Sequence, residues 1–243
     1  MDSRWHPKGC GEPHHHAGIT VARGRLIVFE GGEGAGKSTQ LARLASRLTA
    51  AGVRVANFRE PGGTPLGDEI RRLLLDPAGH MSPRAEALLF MASRAELVER
   101  ELRPALDAGT CVLLDRFFLS TYAYQMGGRG LPDADVRAAN GVATNGLVPD
   151  VTVLLTVAPS DGLQRAAKRG AADRMENSGN EFHTRVAESF ARFAAPDWQA
   201  AHPECGPIHA VDGSAAEALV AAQVLDVVCR HCAEFRSALQ VTA

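Results

Sequence analysis

Five short apolar runs punctuate the chain, and longer amphipathic stretches lie between them. The runs are Leu26–Phe29, Val53–Phe58, Cys111–Leu114, Val151–Val157 and Ile208–Val211. Continuous runs of this length suit parallel strands buried on both faces. The intervening segments predict helices over 37–51, 65–75, 83–108, 119–126, 133–145, 160–170, 179–195 and 214–235. Gly52 stands where a helix C-terminus favours glycine, and Ser82-Pro83 is a helix start with a capping hydroxyl before a first-turn proline. Alternating strand and helix imply a doubly wound parallel sheet. The expected fold class is therefore α/β: a three-layer α/β/α arrangement with a five-stranded parallel sheet and a short basic lid.

Residues 1–20 break this pattern. They hold Pro7, Pro13, Gly9, Gly11, Gly18 and the triple His14-His15-His16, with little apolar content, and predict a disordered tail. The expected division is a tail at 1–20, one domain at 21–236 with its lid at about 160–178, and a C-terminal tail at 237–243. The 26 basic and 28 acidic side chains leave a net charge of −2, so a general affinity for nucleic acid is not expected. No run of apolar residues is long enough to span a bilayer. Five cysteines, an odd number without framework spacing, fit a reducing cytoplasm. Cys229-Arg230-His231-Cys232 has the spacing of a redox or zinc half-site but lacks a second pair, and reads as core or surface cysteines.

The chemistry gathers where the strands end, the edge at which open α/β sheets bind ligands. After the first strand, Gly31-Gly32-Glu33-Gly34-Ala35-Gly36-Lys37-Ser38 satisfies G-x-x-x-x-G-K-[ST] and opens a helix that continues with Thr39. Such a loop wraps backbone N–H groups around phosphates, with Lys37 on the β and γ oxygens and Ser38 on Mg²⁺. Glu33 would repel a triphosphate. It reads as a contact to a second, hydroxyl-bearing ligand, or as a solvated loop residue. The second strand ends in Arg59-Glu60-Pro61-Gly62-Gly63-Thr64 and the third in Asp115-Arg116. Asp115 suits a Mg²⁺-bound water or Lys37, and Arg116 suits a phosphate, although the two also fit a buried ion pair. On the helix from Pro83, Leu88, Ala92, Ala95, Leu102 and Leu106 form the expected apolar stripe, with Phe90 and Arg94 about 120° away. That pair can stack on and hydrogen-bond a planar base, or be a packing phenylalanine with an arginine running past it. Thr121 and Gln125 lie four apart and can read a base edge, with Tyr124 beside a sugar. Residues 162–175 hold Arg165, Lys168, Arg169 and Arg174 against Asp173 alone, a charged helix or a mobile basic lid.

Together these segments resemble the bacterial thymidylate kinases: residues 29–38, 59–64, Phe90 with Arg94, 115–117, 120–125 and Gly127-Gly128-Arg129-Gly130. The resemblance covers about residues 24–235. It implies transfer of phosphate from ATP to dTMP with Mg²⁺, in a cytoplasmic homodimer. It implies that Phe90 stacks on thymine, Arg94 bonds its exocyclic oxygen and Thr121 approaches N3. Arg116 would hold the acceptor phosphate near Arg59 and Pro61, with Glu33 near the sugar 3′-hydroxyl. One group within the family carries a catalytic arginine in the phosphate loop. Gly34 stands at that position here, so this chain resembles the group that draws its arginines from the lid, namely Arg165, Arg169 and Arg174. Ala167 departs from relatives with a further basic residue there, and Lys168 stands beside it. Other readings of the same motifs are a kinase for another nucleotide or nucleoside, or a P-loop ATPase that switches partners. Against the ATPase, the chain has neither an Asn-Lys-x-Asp motif nor a second lysine early in the loop.

Overall fold

The computed structural model of the chain describes residues 22–167 and 173–239. The strands are β1 (Leu26–Glu30), β2 (Val55–Arg59), β3 (Cys111–Asp115), β4 (Val151–Thr156) and β5 (Ile208–Asp212). They form one parallel sheet in the order β2-β3-β1-β4-β5. The helices are α1 (Lys37–Ala50), α2 (Pro65–Leu75), α3 (Pro83–Leu97), α4 (Arg103–Asp107), α5 (Phe118–Thr121), α6 (Asp133–Thr144), α7 (Pro159–Ala167), α8 (Asn180–Phe193), α9 (Pro196–Ala201), α10 (Glu217–His231) and α11 (Ala233–Ala238).

Alternate strand residues feed two cores. Leu26, Val28, Val112 and Leu114 pack with Leu97, Tyr122, Phe182 and Phe190 on one side of the sheet. Ile27, Phe29, Leu113 and Val153 pack with Leu44, Leu48, Val224 and Val228 on the other. The three-layer α/β/α architecture expected from the strand–helix alternation is the one found. The order places β1, with its phosphate loop, between β3 and β4, so the loops that follow these parallel strands open at one end of the sheet.

Several elements differ in extent. β2 starts two residues later than its apolar run, because Val53 N–H closes the end of α1 on the Leu48 carbonyl at 3.0 Å. The helix predicted over 83–108 is interrupted by a π turn at Val98–Leu102. Pro104 follows after Arg103; it lacks an N–H and would crowd the carbonyl four residues back, and the wider turn relieves this. The extra residue also rotates the face of the helix. Leu102 and Leu106 are buried as expected, but Leu88 is 64% exposed and Ala92 is exposed. The buried side of α3 is instead Glu86, Ala87, Met91, Ser93, Arg94 and Leu97. A second π turn, Tyr122–Gly128, extends α5. The last predicted helix is two, α10 and α11, broken at Cys232; the second reaches into the segment expected as a C-terminal tail. α9 was not foreseen. The tail at 1–20 and the residues Lys168, Arg169 and Gly170 lie outside the described residues.

Candidate active site

The phosphate loop turns on glycine. Gly31, Gly34 and Gly36 all have positive φ, at 138°, 66° and 94°. At Gly34 a side chain has no room: its Cβ would meet the Gly162 carbonyl oxygen of α7 at 2.0 Å. The converse holds, since a Cβ on Gly162 would meet the Glu33 carbonyl oxygen at 2.4 Å. Lys37 curls back into its own loop. Its Nζ donates to the carbonyls of Gly31 at 3.0 Å and Gly32 at 2.9 Å. Burial, with Arg116 nearby, lowers its pKa from 10.5 to about 8. Ser38 Oγ donates to Asp115 Oδ2 at 2.7 Å. On one side of the loop a cavity of about 340 Å³ is lined by Gly34, Ala35, Gly36, Thr39, Arg165 and Gly213. Arg165 Nη1 donates to the Gly213 carbonyl at 3.0 Å.

A second cavity, of about 230 Å³, opens on the side of Lys37, Ser38 and Asp115. Among its lining are Glu33, Arg59, Pro61, Phe90, Arg94, Arg116, Thr121, Tyr124 and Gln125, so the residues expected to form the acceptor site border one space. Arg116 has a left-handed backbone, φ 72°, unusual for a side chain of its size. The turn is pinned by Glu30, a fully buried carboxylate that accepts from Phe117 N at 2.7 Å and from Ser120 N and Oγ at 3.1 and 2.7 Å. Arg116 Nη1 then donates to Ser120 Oγ at 3.0 Å and Nη2 to Glu33 Oε1 at 2.5 Å. Tyr124 donates its hydroxyl to the same Glu33 oxygen at 2.8 Å. Burial, reinforced by Glu33, pushes the Tyr124 hydroxyl upward in pKa, so it stays a donor.

Arg94 is 2% exposed, and protein acceptors take all five of its N–H groups. Nε and Nη2 grip Glu60 Oε2 at 2.8 and 2.5 Å, and Nη2 also reaches the Phe117 carbonyl at 2.7 Å. Nη1 donates to Thr121 Oγ1 at 2.9 Å and to Asn140 Oδ1. A ligand carbonyl meets this guanidinium only by sharing or displacing an acceptor, and Thr121 is the one of them on α5 that lines the cavity. Arg59 is half-exposed, 3.5 Å from Asp68. Arg174 is turned towards α3: Nη1 bonds Glu86 Oε2 at 2.7 Å and Nε the Leu74 carbonyl at 2.7 Å. Of the three expected lid arginines, the structure therefore sets Arg165 beside the phosphate loop and Arg174 on α3, while Arg169 lies outside the described residues.

Sequence reasoning missed Glu60, Arg71, Leu75, Ser120, Asp173 and Met175, which also border this cavity. Arg71 Nη1 holds the Pro61 carbonyl at 2.9 Å, and burial lowers its pKa. Its spacing of four from Leu75 on α2 was the available signal. Cys111, Cys205, Cys229 and Cys232 are buried free thiols.

A family model for thymidylate kinase matches residues 29–202. The thymidylate kinase of Deinococcus radiodurans is 52% identical over 174 residues, covering 72% of this chain and 84% of the relative. That of Rhizorhabdus wittichii is 48% identical over 177 residues, covering 72% and 85%. That of Carboxydothermus hydrogenoformans is 46% identical over 172 residues, covering 71% and 85%.

Proposed function

The chain belongs to the thymidylate kinase family, and on that premise we infer that two of the cavities at its phosphate loop divide the labour of one phosphoryl transfer. It phosphorylates dTMP to dTDP at the expense of ATP. ATP occupies the side lined by Gly34, Gly36, Thr39 and Arg165, with its phosphates on the loop 31–38. dTMP occupies the side of Phe90 and Arg116. The observation that carries this reading is the phosphate loop standing between two spaces, with Lys37 and Ser38 opening towards the second.

In this reading Phe90 covers the base, and Thr121 and Gln125 meet its edge with Arg94 behind them. Arg116 exchanges its contact with Glu33 for the acceptor phosphate, with Arg59 and Pro61 alongside. Glu33 and Tyr124 are then left to the sugar. Lys37 moves from the Gly31 and Gly32 carbonyls to the β and γ oxygens. Ser38 and Asp115 are paired oxygen ligands of the hard type that Mg²⁺ prefers. They would hold it at the loop, Asp115 through water, where the ion supplies charge neutralisation on the transferring group. Arg165 and Arg169 add guanidinium charge from the lid. Arg174 joins them when released from Glu86.

We read residues 21–236 as a single catalytic domain. A homodimer is the proposed assembly, with α2, α3 and α6 as its contact. These helices pack side by side and expose Leu66, Leu73, Leu88 and Val142 at 53, 57, 64 and 85%. The proposed compartment is the cytoplasm, which suits the free thiols. Among the described residues no helix is long and apolar enough to cross a membrane. The test is ATP-dependent phosphorylation of dTMP, dUMP, dCMP and thymidine under one set of conditions. Preference for dTMP is expected. Equal turnover of dCMP overturns the pocket assignment, and turnover of thymidine alone overturns the acceptor class.

A further inference from the structure

The buried carboxylate that holds Arg174 has a second set of partners, on the wall of the proposed dTMP cavity. Glu86 lies in the first turn of α3 and its side chain is 1% exposed. Gln125 Nε2 donates to its Oε1 at 3.0 Å. Arg129 grips both oxygens, Nε to Oε1 at 3.1 Å and Nη2 to Oε2 at 3.0 Å. Arg174 Nη1 reaches Oε2 at 2.7 Å. Both arginines are braced from behind. Arg129 Nη2 bonds Ser178 Oγ at 3.1 Å and its guanidinium sits 4.3 Å from the Phe182 ring centroid, while Arg174 holds the Leu74 carbonyl. Burial pushes the Glu86 carboxyl up, but the hydrogen bonds from Arg129, Gln125 and Arg174 outweigh it and leave the pKa below the usual carboxylate range.

An ionised carboxylate accepts and cannot donate. The end of the Gln125 amide that faces Glu86 must therefore be the NH₂. Gln125 lines the cavity and is 1% exposed, so the amide oxygen is the end left to face the ligand. Beside it, Thr121 Oγ1 already accepts from Arg94, which leaves its proton to donate. The cavity wall is thus polarised as one donor next to one acceptor. We propose that Glu86 is a positioning residue that fixes the polarity of the Gln125 amide and thereby selects a pyrimidine whose edge pairs a carbonyl with a ring N–H. Thymine and uracil have that edge. Cytosine carries the inverse, an exocyclic amine beside an unprotonated ring nitrogen, and would set acceptor against acceptor at Gln125. This rests on the reading of the cavity as the dTMP site.

The test compares kcat/KM for dTMP and dCMP, with KM for ATP measured alongside, in the full-length protein. Glu86→Gln keeps the shape but presents a group that can donate or accept, so the Gln125 amide is released to flip. Selectivity for dTMP should fall about tenfold or more, the scale of one buried mispaired polar group. KM for dTMP should rise while KM for ATP stays within about twofold. Gln125→Leu should lose the same selectivity, and adding Glu86→Gln to it should cost no further selectivity, which a merely structural role would not predict. If Glu86→Gln fails to fold, Arg129→Gln loosens the carboxylate from outside the cavity and should lower selectivity severalfold. A folded Glu86→Gln or Arg129→Gln with parental selectivity overturns the role of Glu86, as does an equal further loss in the Gln125→Leu background. A parent that does not discriminate dTMP from dCMP instead overturns the reading of the cavity itself.

Discussion

Replacing Lys37 by methionine should favour the ligand-free protein, relative to the parent, more at neutral pH than in alkali. Lys37 is buried, and its pKa of about 8 lies below the ordinary 10.5. Between those values the unfolded chain binds a proton that the folded chain has released, so parental stability rises with pH across that window. Below about pH 8 the full penalty of the buried ammonium is present. At about 1.4 kcal/mol per pKa unit, the penalty shrinks by about 2–3 kcal/mol between pH 7 and pH 10. Methionine has a similar length and no titration, so its unfolding free energy lacks this slope. The two hydrogen bonds to Gly31 and Gly32 offset part of the gain at any one pH. The difference in pH dependence is therefore the quantity to read. Urea unfolding of both proteins at pH 7, 8, 9 and 10 measures it, and tyrosine and cysteine titrations cancel in the subtraction. A parent-minus-variant difference that stays flat to within about 0.5 kcal/mol would show that the lysine is not held against its charge. Bound triphosphate should reverse the shift, so ATP binding near pH 8.5 should take up protons, seen as a buffer-dependent enthalpy in calorimetry.

Arg94→Ala should cost stability as well as dTMP turnover, by about 3–5 kcal/mol, because Glu60 is left buried without its partner; denaturant melts check this, and Glu60→Gln in the same chain should recover part of the loss. Arg169→Ala should lower kcat by about 10²-fold or more with ATP binding retained, on the scale of a finger arginine; steady-state kinetics with separate nucleotide titration would expose a smaller effect. Leu88→Asp with Val142→Asp should give a monomer by light scattering if the exposed α2–α3–α6 face is the dimer contact, and an unchanged mass would remove that face from consideration. Deleting residues 1–20 should leave the melting temperature and turnover nearly unchanged.

The strands and the phosphate loop were legible because their signals are local. An apolar run needs no partner to be recognised, and G-x-x-x-x-G-K-S carries its own turn chemistry. Phe90 and Arg94 were legible as a pair, but the face they share was not. A straight 100° count from Leu88 to Leu106 crosses a π turn, and the turn shifts the register by a residue. Glu86 and Asn140 left no mark, since each is one polar residue in an ordinary stretch, and Glu60 was visible only as one member of the Arg59–Thr64 turn, without its role. Their meaning comes from arginines 34 to 88 positions away in the chain. That Arg94 is saturated by protein acceptors was likewise beyond a sequence that shows only its spacing from Phe90.

The contact between Gly34 and Gly162 makes the two halves of the catalytic cleft hostage to each other. Gly34 has no room for a side chain because the Gly162 carbonyl stands in its place, and Gly162 has none because the carbonyl of Glu33, next to Gly34, stands in its own. A guanidinium therefore cannot be placed in the phosphate loop by one substitution: Gly34→Arg would first have to prise α7 off the loop, displacing Arg165 with it. The close approach of two backbones ties position 34 to position 162, and a chain that placed a side chain at one would have to reshape the other as well.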